Sequence, residues 1–275
     1  MPVRIKPADP RLPRGKDFNG KPFDGLHYAQ VRGDLFVSGV SATDVGQGNL
    51  GDCFFLSSLA AVAKTHPELL KKAIARNADG TYTVTFKQPG RNTVRSVPVT
   101  VDGDFPMRRG GGPAFGRGLQ RGASGPELWP AVFEKAYASL QGSFSTLNQG
   151  GYADDALAAL TGKRATRLVP KDLSAEKLWT TLGDATRAQK PIVTGTVEFA
   201  ELKRLTGRAD LAGLIDGHAY ALLGVHEARG VRYVDLYTPL TPAEGGNPAG
   251  GCQRTVSVPL ADYQRVFDDL VIGAA

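Results

Sequence analysis

One stretch of the chain is apolar on every side of a predicted helix. Residues 53–63 read CFFLSSLAAVA, in which two serines are the only polar side chains besides the first cysteine. A helix with that pattern is buried, so we expect it to be the central helix of the fold. The polar, glycine-rich turn QGNLGD (47–52) leads straight into it. The side chain of Asp52 or Asn49 is expected to cap its first turn.

The other elements follow from the spacing of their apolar residues. Spacings of three and four predict helices, and strict alternation predicts strands. Helices are predicted at 67–74, 128–140, 154–161 and 175–188. Strands are predicted at 81–86 and 94–101, which form a hairpin, at 192–197, 218–225 and 231–237, and as candidate edge strands at 255–258 and 270–272. Residues 107–125 hold seven glycines and are predicted to form a long loop.

The order of these elements predicts the fold class. Helices dominate the first half and antiparallel strands the second, which is typical of an α+β protein with a helical first lobe and an antiparallel β second lobe. We place an irregular arm at 1–32 and a break near Gly162, which gives the regions 33–162 and 163–275. A cleft between two lobes is where a site is expected.

Composition narrows the classes of partner. The 275-residue chain has a net charge of +6, but its basic residues are scattered. The densest group lies among glycines and lacks an aromatic platform or a basic helix face, so we expect no nucleic-acid partner (Arg108, Arg109, Arg117, Arg121). No apolar run approaches the roughly 20 residues of a membrane span, so no membrane partner is expected. No oligomer is indicated.

Cysteine content and the N-terminus bear on the compartment. Two cysteines, Cys53 and Cys252, make no disulfide framework, which fits a reducing compartment or one optional bridge. The N-terminal residues are rich in Pro, Lys and Arg and show no secretory signal. We therefore expect a soluble protein, cytoplasmic by default, with signal-independent export left open.

Cys53 has the surroundings of a reactive thiol. In the first turn of the predicted helix, the positive end of the helix dipole favours the thiolate, which is the nucleophilic form. The glycines of the preceding turn are expected to let a substrate backbone come close. Gln47, six residues upstream, offers a side-chain amide that could hold a developing oxyanion.

A cysteine nucleophile needs a base, and His218 is the best candidate among the four histidines. It follows Gly217 at the start of an apolar strand, where the missing side chain leaves room beside the imidazole. Taken alone, His218 is more simply explained as a strand-end histidine. Its combination with an early cysteine favours a Cys-His enzyme with two lobes. The others lie in the arm, at a helix end and at a strand end (His27, His66, His226).

Four motifs, in order, resemble the calpain family of cysteine proteases. QGNLGDCFFL at 47–56 resembles the family's Q-G-x-L-G-D-C-W-[FL]-L. VDGDFP at 101–106 resembles V-D-D-x-[FL]-P, and ELWPAVFEKAYA at 127–138 resembles E-x-W-x-x-L-x-E-K-A-Y-A. GHAY at 217–220 matches the family's G-H-A-Y. The similarity covers about residues 34–273, and four motifs in register make it specific.

The resemblance implies a papain-like fold whose two subdomains are the regions 33–162 and 163–275. It also implies an endopeptidase that hydrolyses peptide bonds in protein substrates. Cys53 would attack the carbonyl, Gln47 and the backbone N–H of Cys53 would hold the oxyanion, and His218 would carry the proton. No cofactor is required for this chemistry.

The chain departs from the family at the residue that orients the histidine. The family has an Asn in an N-P-W-G turn, whereas the aligned turn here, YTPL at 237–240, places Thr238 at the Asn position. Asn247, in NPAG nine residues later, is the alternative, although Asn-Pro is also common in ordinary turns. We favour Thr238 by position. Asp235 points to the other face of its strand by parity.

The resemblance also supplies a candidate calcium site. Calpains hold calcium in the first subdomain through two carboxylates and nearby backbone carbonyls, whose counterparts here are Asp44 and Glu127 with Val37 and Gly39. Such oxygen ligands suit calcium, but the two carboxylates are equally well explained as caps. The family's second calcium cluster has no counterpart in the sequence. Ala42 replaces the arginine that joins the family's subdomains.

Two other functions stay open at this point. The missing Asn is compatible with an inactive protease fold that serves as a binding module. The same Cys-His pair is also compatible with acyl transfer or deamidation of the kind some toxins perform.

Overall fold

A computed structural model describes residues 7–18, 20–198, 214–240 and 254–274. In those residues the chain is a mixed α and β protein whose sheets are antiparallel. The helices are α1 Cys53–Thr65, α2 Pro67–Ala73, α3 Trp129–Leu140, α4 Phe144–Leu147, α5 Ala153–Thr161, α6 Ala175–Arg187 and α7 Leu260–Val266.

The strands form one large sheet and several small ones. The small sheets use β1 His27–Gln30, β2 Val45–Gly46, β3 Ile74–Arg76, β4 Tyr82–Pro89, β5 Val94–Val101, β6 Asp104–Met107, β7 Arg117–Gly118, β8 Arg121–Gly122 and β9 Gly125–Pro126. The large sheet uses β10 Thr166–Leu168, β11 Ile192–Thr196, β12 Ala219–Ala228, β13 Val231–Tyr237, β14 Thr255–Pro259 and β15 Phe267–Ile272.

Helix α1 is buried along most of its length, as its sequence predicted. Every residue from Phe54 to Ala63 is buried. The ring of Phe55 stacks on that of Tyr137 from α3, with ring centroids 4.0 Å apart. Each large apolar side chain buried in this way contributes about 1.5–3 kcal/mol to folding. The packing therefore holds the N-terminal end of α1, and Cys53 with it, at a defined place.

Two sequence predictions about strands are wrong. The order of the six-stranded sheet is β10-β15-β11-β12-β13-β14, so β15 lies inside the sheet although 270–272 was predicted as an edge strand. The last three residues of β15, from Leu270 to Ile272, are buried in succession, which is typical of a strand covered on both faces. In the arm, β1 pairs with β6, so residues 27–30 are not irregular. The hairpin of β12 and β13 turns through Arg229 and Gly230, both at positive φ, which matches the right-handed twist of the strands.

Two clusters of buried apolar side chains form the core. One surrounds α1, α3 and α5 and takes in four residues from the large sheet (Val193, Ala221, Tyr237, Val271). The other lies between the large sheet, α6 and α7. One face of the large sheet therefore packs against the helices of the first half of the chain. No helix within the described ranges is both long and apolar enough to cross a membrane.

Candidate active site

Cys53 is the first residue of α1, and the cap that precedes it is built from backbone. The carbonyl of Asp52 accepts hydrogen bonds from the N–H groups of Phe55 and Leu56, at 2.9 and 3.1 Å. The carboxyl of Asp52 makes no capping bond, and the amide of Asn49 is directed to other side chains. The predicted side-chain cap is therefore wrong for both residues, because each has a tertiary partner instead.

The glycines of the nucleophile turn (residues 47–52) accommodate the protein's own backbone. A Cβ at Gly48 would lie 2.2 Å from the carbonyl oxygen of Ala114, and one at Gly51 would lie 2.9 Å from that of Asn148. Such distances exclude any side chain at either position without movement of backbone. The expectation that these glycines make room for a substrate is replaced by a packing role.

His218 lies directly before β12, and its backbone is held by Thr196 at the end of β11. Its N–H donates to the Thr196 hydroxyl at 3.0 Å, and its carbonyl accepts from the Thr196 N–H at 3.0 Å. The imidazole is 7% exposed and lies edge-on to the ring of Tyr220, with centroids 5.2 Å apart. Sequence reasoning missed Thr196, whose only signal was a polar residue at the end of an apolar strand.

Helix α1 and strand β12 bring the Cys53 thiol beside the residue that follows His218. The hydroxyl of Ser57, one turn after Cys53, donates to the carbonyl of Ala219 at 2.8 Å. The Cys53 thiol lies against the backbone N–H of Ala219, the residue after His218. The structure thus places the thiol at the start of β12, although the two segments are far apart in the sequence.

Thr238 occupies the position behind the imidazole. Its hydroxyl oxygen lies 2.8 Å from Nε2 of His218, and it also accepts the N–H of Leu240 at 3.1 Å. The residue is fully buried. An Asn carbonyl can only accept a hydrogen bond, whereas a hydroxyl can donate or accept. Thr238 therefore holds the ring in place without dictating which of its nitrogens carries the proton.

The other two candidates for this role differ in status. Asn247 lies outside the described residues. Asp235 accepts a hydrogen bond from Ser257, and Nδ1 of His226 lies 2.8 Å from its other oxygen. Both of these partners are residues other than His218, in keeping with the prediction from strand parity.

Gln47 joins the nucleophile turn to the turn that carries Thr238. Its backbone N–H donates to the carbonyl of Pro239 at 2.7 Å, and its side-chain amide donates to the carbonyl of Leu50 at 2.8 Å. Its own Oε1 is buried without a hydrogen-bond partner among the described residues. The predicted oxyanion donor and the histidine-orienting residue thus belong to one hydrogen-bonded pair of turns.

Burial disfavours charge on both reactive groups. It raises the pKa of the Cys53 thiol to about 11, although the Ala219 N–H acts in the opposite direction, and the Asp52 charge adds to the increase. Burial also lowers the pKa of His218 to about 3. Desolvation therefore favours a neutral thiol and a neutral imidazole, whereas the helix dipole alone would favour the thiolate.

Of the candidate calcium ligands, Asp44 is fully engaged within the protein. One of its carboxylate oxygens accepts the N–H of Ser41 at 2.7 Å, which completes a capping box. The other accepts the side-chain amide of Gln120 at 2.5 Å. The alternative interpretation of Asp44 as a cap is therefore confirmed, and it leaves open whether the carboxylate also binds an ion.

Glu127 differs from Asp44 because one of its oxygens has no partner. Its Oε1 accepts the N–H of Val37 at 2.7 Å, whereas its Oε2 is buried without a hydrogen bond to any described residue. Burial raises the pKa of Glu127 to about 7, and the Asp44 charge adds to the increase while the Val37 N–H opposes it. The Asp44 charge therefore disfavours ionisation of Glu127.

A cavity of about 650 Å³ lies beside the residue after Cys53. Phe54 lines it together with the β4–β5 hairpin, the end of α3 and the glycine pair at 150–151. Neither Cys53 nor His218 lines this cavity. It is therefore separate from the reacting groups.

The chain is similar to a group of known proteins. A family model described as "Calpain family cysteine protease" matches residues 26–242. The chain is 33% identical over 214 residues to the calpain-type cysteine proteases ADL1 of Oryza sativa subsp. japonica and DEK1 of Arabidopsis thaliana, covering 74% of this chain and 9% of each relative. It is 33% identical over 202 residues to calpain-13 of Rattus norvegicus, covering 70% of this chain and 28% of that protein.

The match spans a small part of each relative and most of this chain. It includes the nucleophile turn, His218 and Thr238, which all lie inside the matched range. The protein belongs to the calpain family of cysteine proteases and is, by its sequence, a cysteine-type peptidase.

Proposed function

We propose that the chain is a cysteine endopeptidase that hydrolyses peptide bonds in protein substrates through Cys53 and His218. The observation that carries the proposal is the position of the thiol against the N–H of Ala219, next to a buried imidazole held by Thr238. Such a pair, with its ring oriented by a third group, is the arrangement that nucleophilic acyl chemistry needs.

In the proposed mechanism, the Cys53 proton passes to His218 as sulfur attacks the scissile carbonyl. The side-chain amide of Gln47 and the backbone N–H of Cys53 stabilise the resulting oxyanion. His218 then returns the proton to the leaving amine, which leaves a thioester on Cys53. Water loses a proton to His218, attacks the thioester and releases the acid, and the thiol is restored.

A neutral thiol and a neutral imidazole at rest are compatible with this mechanism. Charging either group alone is opposed by burial, but proton transfer from sulfur to imidazole creates two opposite charges at once. Their attraction in a site of low dielectric constant offsets part of the desolvation cost. We therefore expect the proton to move with substrate binding or attack rather than in the resting protein.

We also propose the papain-like division into subdomains 33–162 and 163–275, after the arm at 1–32. Two core clusters support it, because one centres on α1 and the other on the large sheet. Gly162, at a φ of 78° after α5, ends the last helix of the first region. The site would then lie where the start of α1 meets the start of β12.

Calcium is the one ion that we propose for the protein. The oxygen donors of Asp44, Glu127, Val37 and Gly39 fit it chemically, and the unpaired Oε2 of Glu127 fits a role as ligand. A bound ion would neutralise the two carboxylates and join the turn at 37–39 to the segment before α3. It would supply structure and not chemistry, since the proposed proton transfers involve only Cys53, His218 and water.

The proposal is tested with a cysteine probe and a protein substrate. In the folded protein, iodoacetamide is expected to alkylate Cys53 faster than Cys252, because His218 takes the thiol proton as sulfur attacks the probe; peptide mass mapping measures both rates. Hydrolysis of labelled casein is expected to be lost in Cys53→Ala and in His218→Ala and kept in Cys252→Ser. Equal reactivity of the two cysteines, with no casein cleavage, would instead support a binding module. Modification of casein without new N-termini would support acyl transfer or deamidation.

A further inference from the structure

A pair of buried carboxyl groups lies directly behind the nucleophile. Asp52, the cap residue of α1, is fully buried, and Glu134, in the middle of α3, is 2% exposed. The two carboxyl groups contact each other. In the described part of the chain, neither carboxylate oxygen of Asp52 receives a hydrogen bond from an N–H or O–H donor.

The surroundings of the pair favour a proton between the two groups. Two touching carboxylates cannot both be ionised when they are buried. The charge of Arg117 favours an ionised Glu134, but burial and then Asp52 raise its pKa well above the ordinary value. Burial raises the pKa of Asp52 in the same way. The backbone N–H of Gly116 occupies Oε1 of Glu134 at 2.7 Å, which leaves Oε2 as the oxygen for the proton.

We propose that Glu134 carries a proton on Oε2 and donates it to the Asp52 carboxylate, and that this shared proton positions the turn that carries Gln47 and Cys53. In this role Asp52 and Glu134 are positioning residues that act through the cysteine. The part concerning catalysis rests on the proposed function, whereas the shared proton does not.

The contacts around the pair explain how a single proton could hold the turn. A Cβ at Gly116 would lie 2.7 Å from Glu134, so the segment that donates to Glu134 is packed tightly against it. Two residues earlier, the carbonyl of Ala114 accepts the N–H of Asn49 at 3.2 Å. Helix α3, residues 114–116 and the nucleophile turn therefore form a closed set of contacts. Loss of the shared proton would place two negative charges at its centre, next to the Cys53 thiol.

The first experiment detects the proton itself. At pH 7 the infrared spectrum of the folded protein is expected to contain the carbonyl stretch of protonated carboxylic acid, which Glu134→Gln weakens; Glu127, whose pKa is also raised, contributes to this band in both proteins. The amide of the variant supplies the same donor without a titrating group. Glu68→Gln, at an exposed position in α2, is the matched control and should keep the band. If the Glu134→Gln and Glu68→Gln spectra are the same, there is no shared proton.

The second experiment uses the dependence of stability on pH. A carboxyl with a raised pKa in the folded state adds stability below its unfolded pKa of about 4, and this is lost as pH rises toward the folded pKa. Between pH 5 and pH 8, the folding equilibrium constant of the parent should therefore fall at least about tenfold more than that of Glu134→Gln. Parallel curves would overturn the proposal. If Glu134→Gln does not fold, Asp52→Asn gives the same comparison because it also leaves one carboxyl.

The third experiment separates positioning from simple packing. In a Cys252→Ser background, the alkylation rate of Cys53 in Glu134→Gln is divided by that of the parent from pH 6 to pH 9. The ratio is expected to start near one and rise severalfold as the parent loses its shared proton. A ratio that does not change with pH would overturn the positioning role. A parent Cys53 that reacts no faster than an unfolded cysteine would count against the proposed function and leave the infrared result standing.

Discussion

Glu134 and Lys135 are neighbours in α3, and both side chains are almost completely buried, at 2% and 1% exposure. The charge of Lys135 is neutralised by carboxylate groups. Its ammonium group contacts the carboxylates of Asp9 and Asp102, the latter at 2.6 Å, and the carbonyl of Asp104 at 2.6 Å. Glu134, one residue earlier, faces another carboxyl group and is neutralised, in our proposal, by a proton.

A third buried charge lies just before the same helix. Glu127 faces Asp44 across a site with one unpaired carboxylate oxygen, and we propose a calcium ion there. The three residues show that burial of a charge alone does not identify its counter-charge. The donors and acceptors around each group do, because an ammonium, a proton and a metal ion each need a different set of neighbours.

The largest effect is expected where the counter-charge is permanent. Lys135→Met should leave the carboxylates of Asp9 and Asp102 without their cation and lower the free energy of unfolding by about 3–5 kcal/mol. Urea unfolding at pH 7 measures it. Lys71→Met is the matched control, because Lys71 forms an exposed ion pair with Glu68 at 2.8 Å; it should cost about 0.5 kcal/mol. Equal losses in the two variants would show that the Lys135 cluster contributes no more than a surface pair.

A smaller effect, dependent on concentration, is expected at Glu127. Calcium at about one hundred times its dissociation constant should stabilise the parent by about 2.7 kcal/mol. Glu127→Gln and Asp44→Asn should each reduce this gain, because each removes one carboxylate ligand. Thermal unfolding with calcium and with a chelator measures it, and Glu68→Gln should respond like the parent. A calcium gain that survives in both variants would place the ion elsewhere, and no gain in the parent would remove calcium from the site.

Helices α1 and α3 show which features could be predicted from the sequence. The long apolar run predicted α1, and its burial is confirmed because no polar face competes for solvent there. The four motifs identified the family and included Cys53, His218 and Glu127, and the resemblance to the family then indicated Asp44. The spacing of apolar residues in α3 gave no reason to bury Glu134 or Lys135.

The partners of Glu134 and Lys135 come from the nucleophile turn, the arm and the turn before β6, and only tertiary packing brings these segments together. The strand at 267–272 was misjudged for a similar reason. Its place inside the sheet depends on β10, which the sequence pattern did not reveal, since its three residues include two exposed polar ones.

The smallest effect concerns His218. Burial lowers the pKa of its imidazole, so the ring is neutral and needs no counter-charge. Its orientation depends on one neutral hydrogen bond to Thr238, and such a bond is worth about 1 kcal/mol. Thr238→Val, which keeps the shape and removes the hydroxyl, should therefore lower kcat/KM for a peptide substrate by about fivefold. Thr238→Ser keeps the hydroxyl and should stay within about threefold of the parent, since that difference is below 1 kcal/mol.

The bond to Leu240 is lost in the valine variant too, so thermal unfolding is measured alongside the kinetics. The expected fall in kcat/KM, with unchanged thermal stability, supports orientation of the imidazole by Thr238. Parent-like kinetics in Thr238→Val would show that another group orients the ring, and Asn247→Ala would then be the next variant to measure.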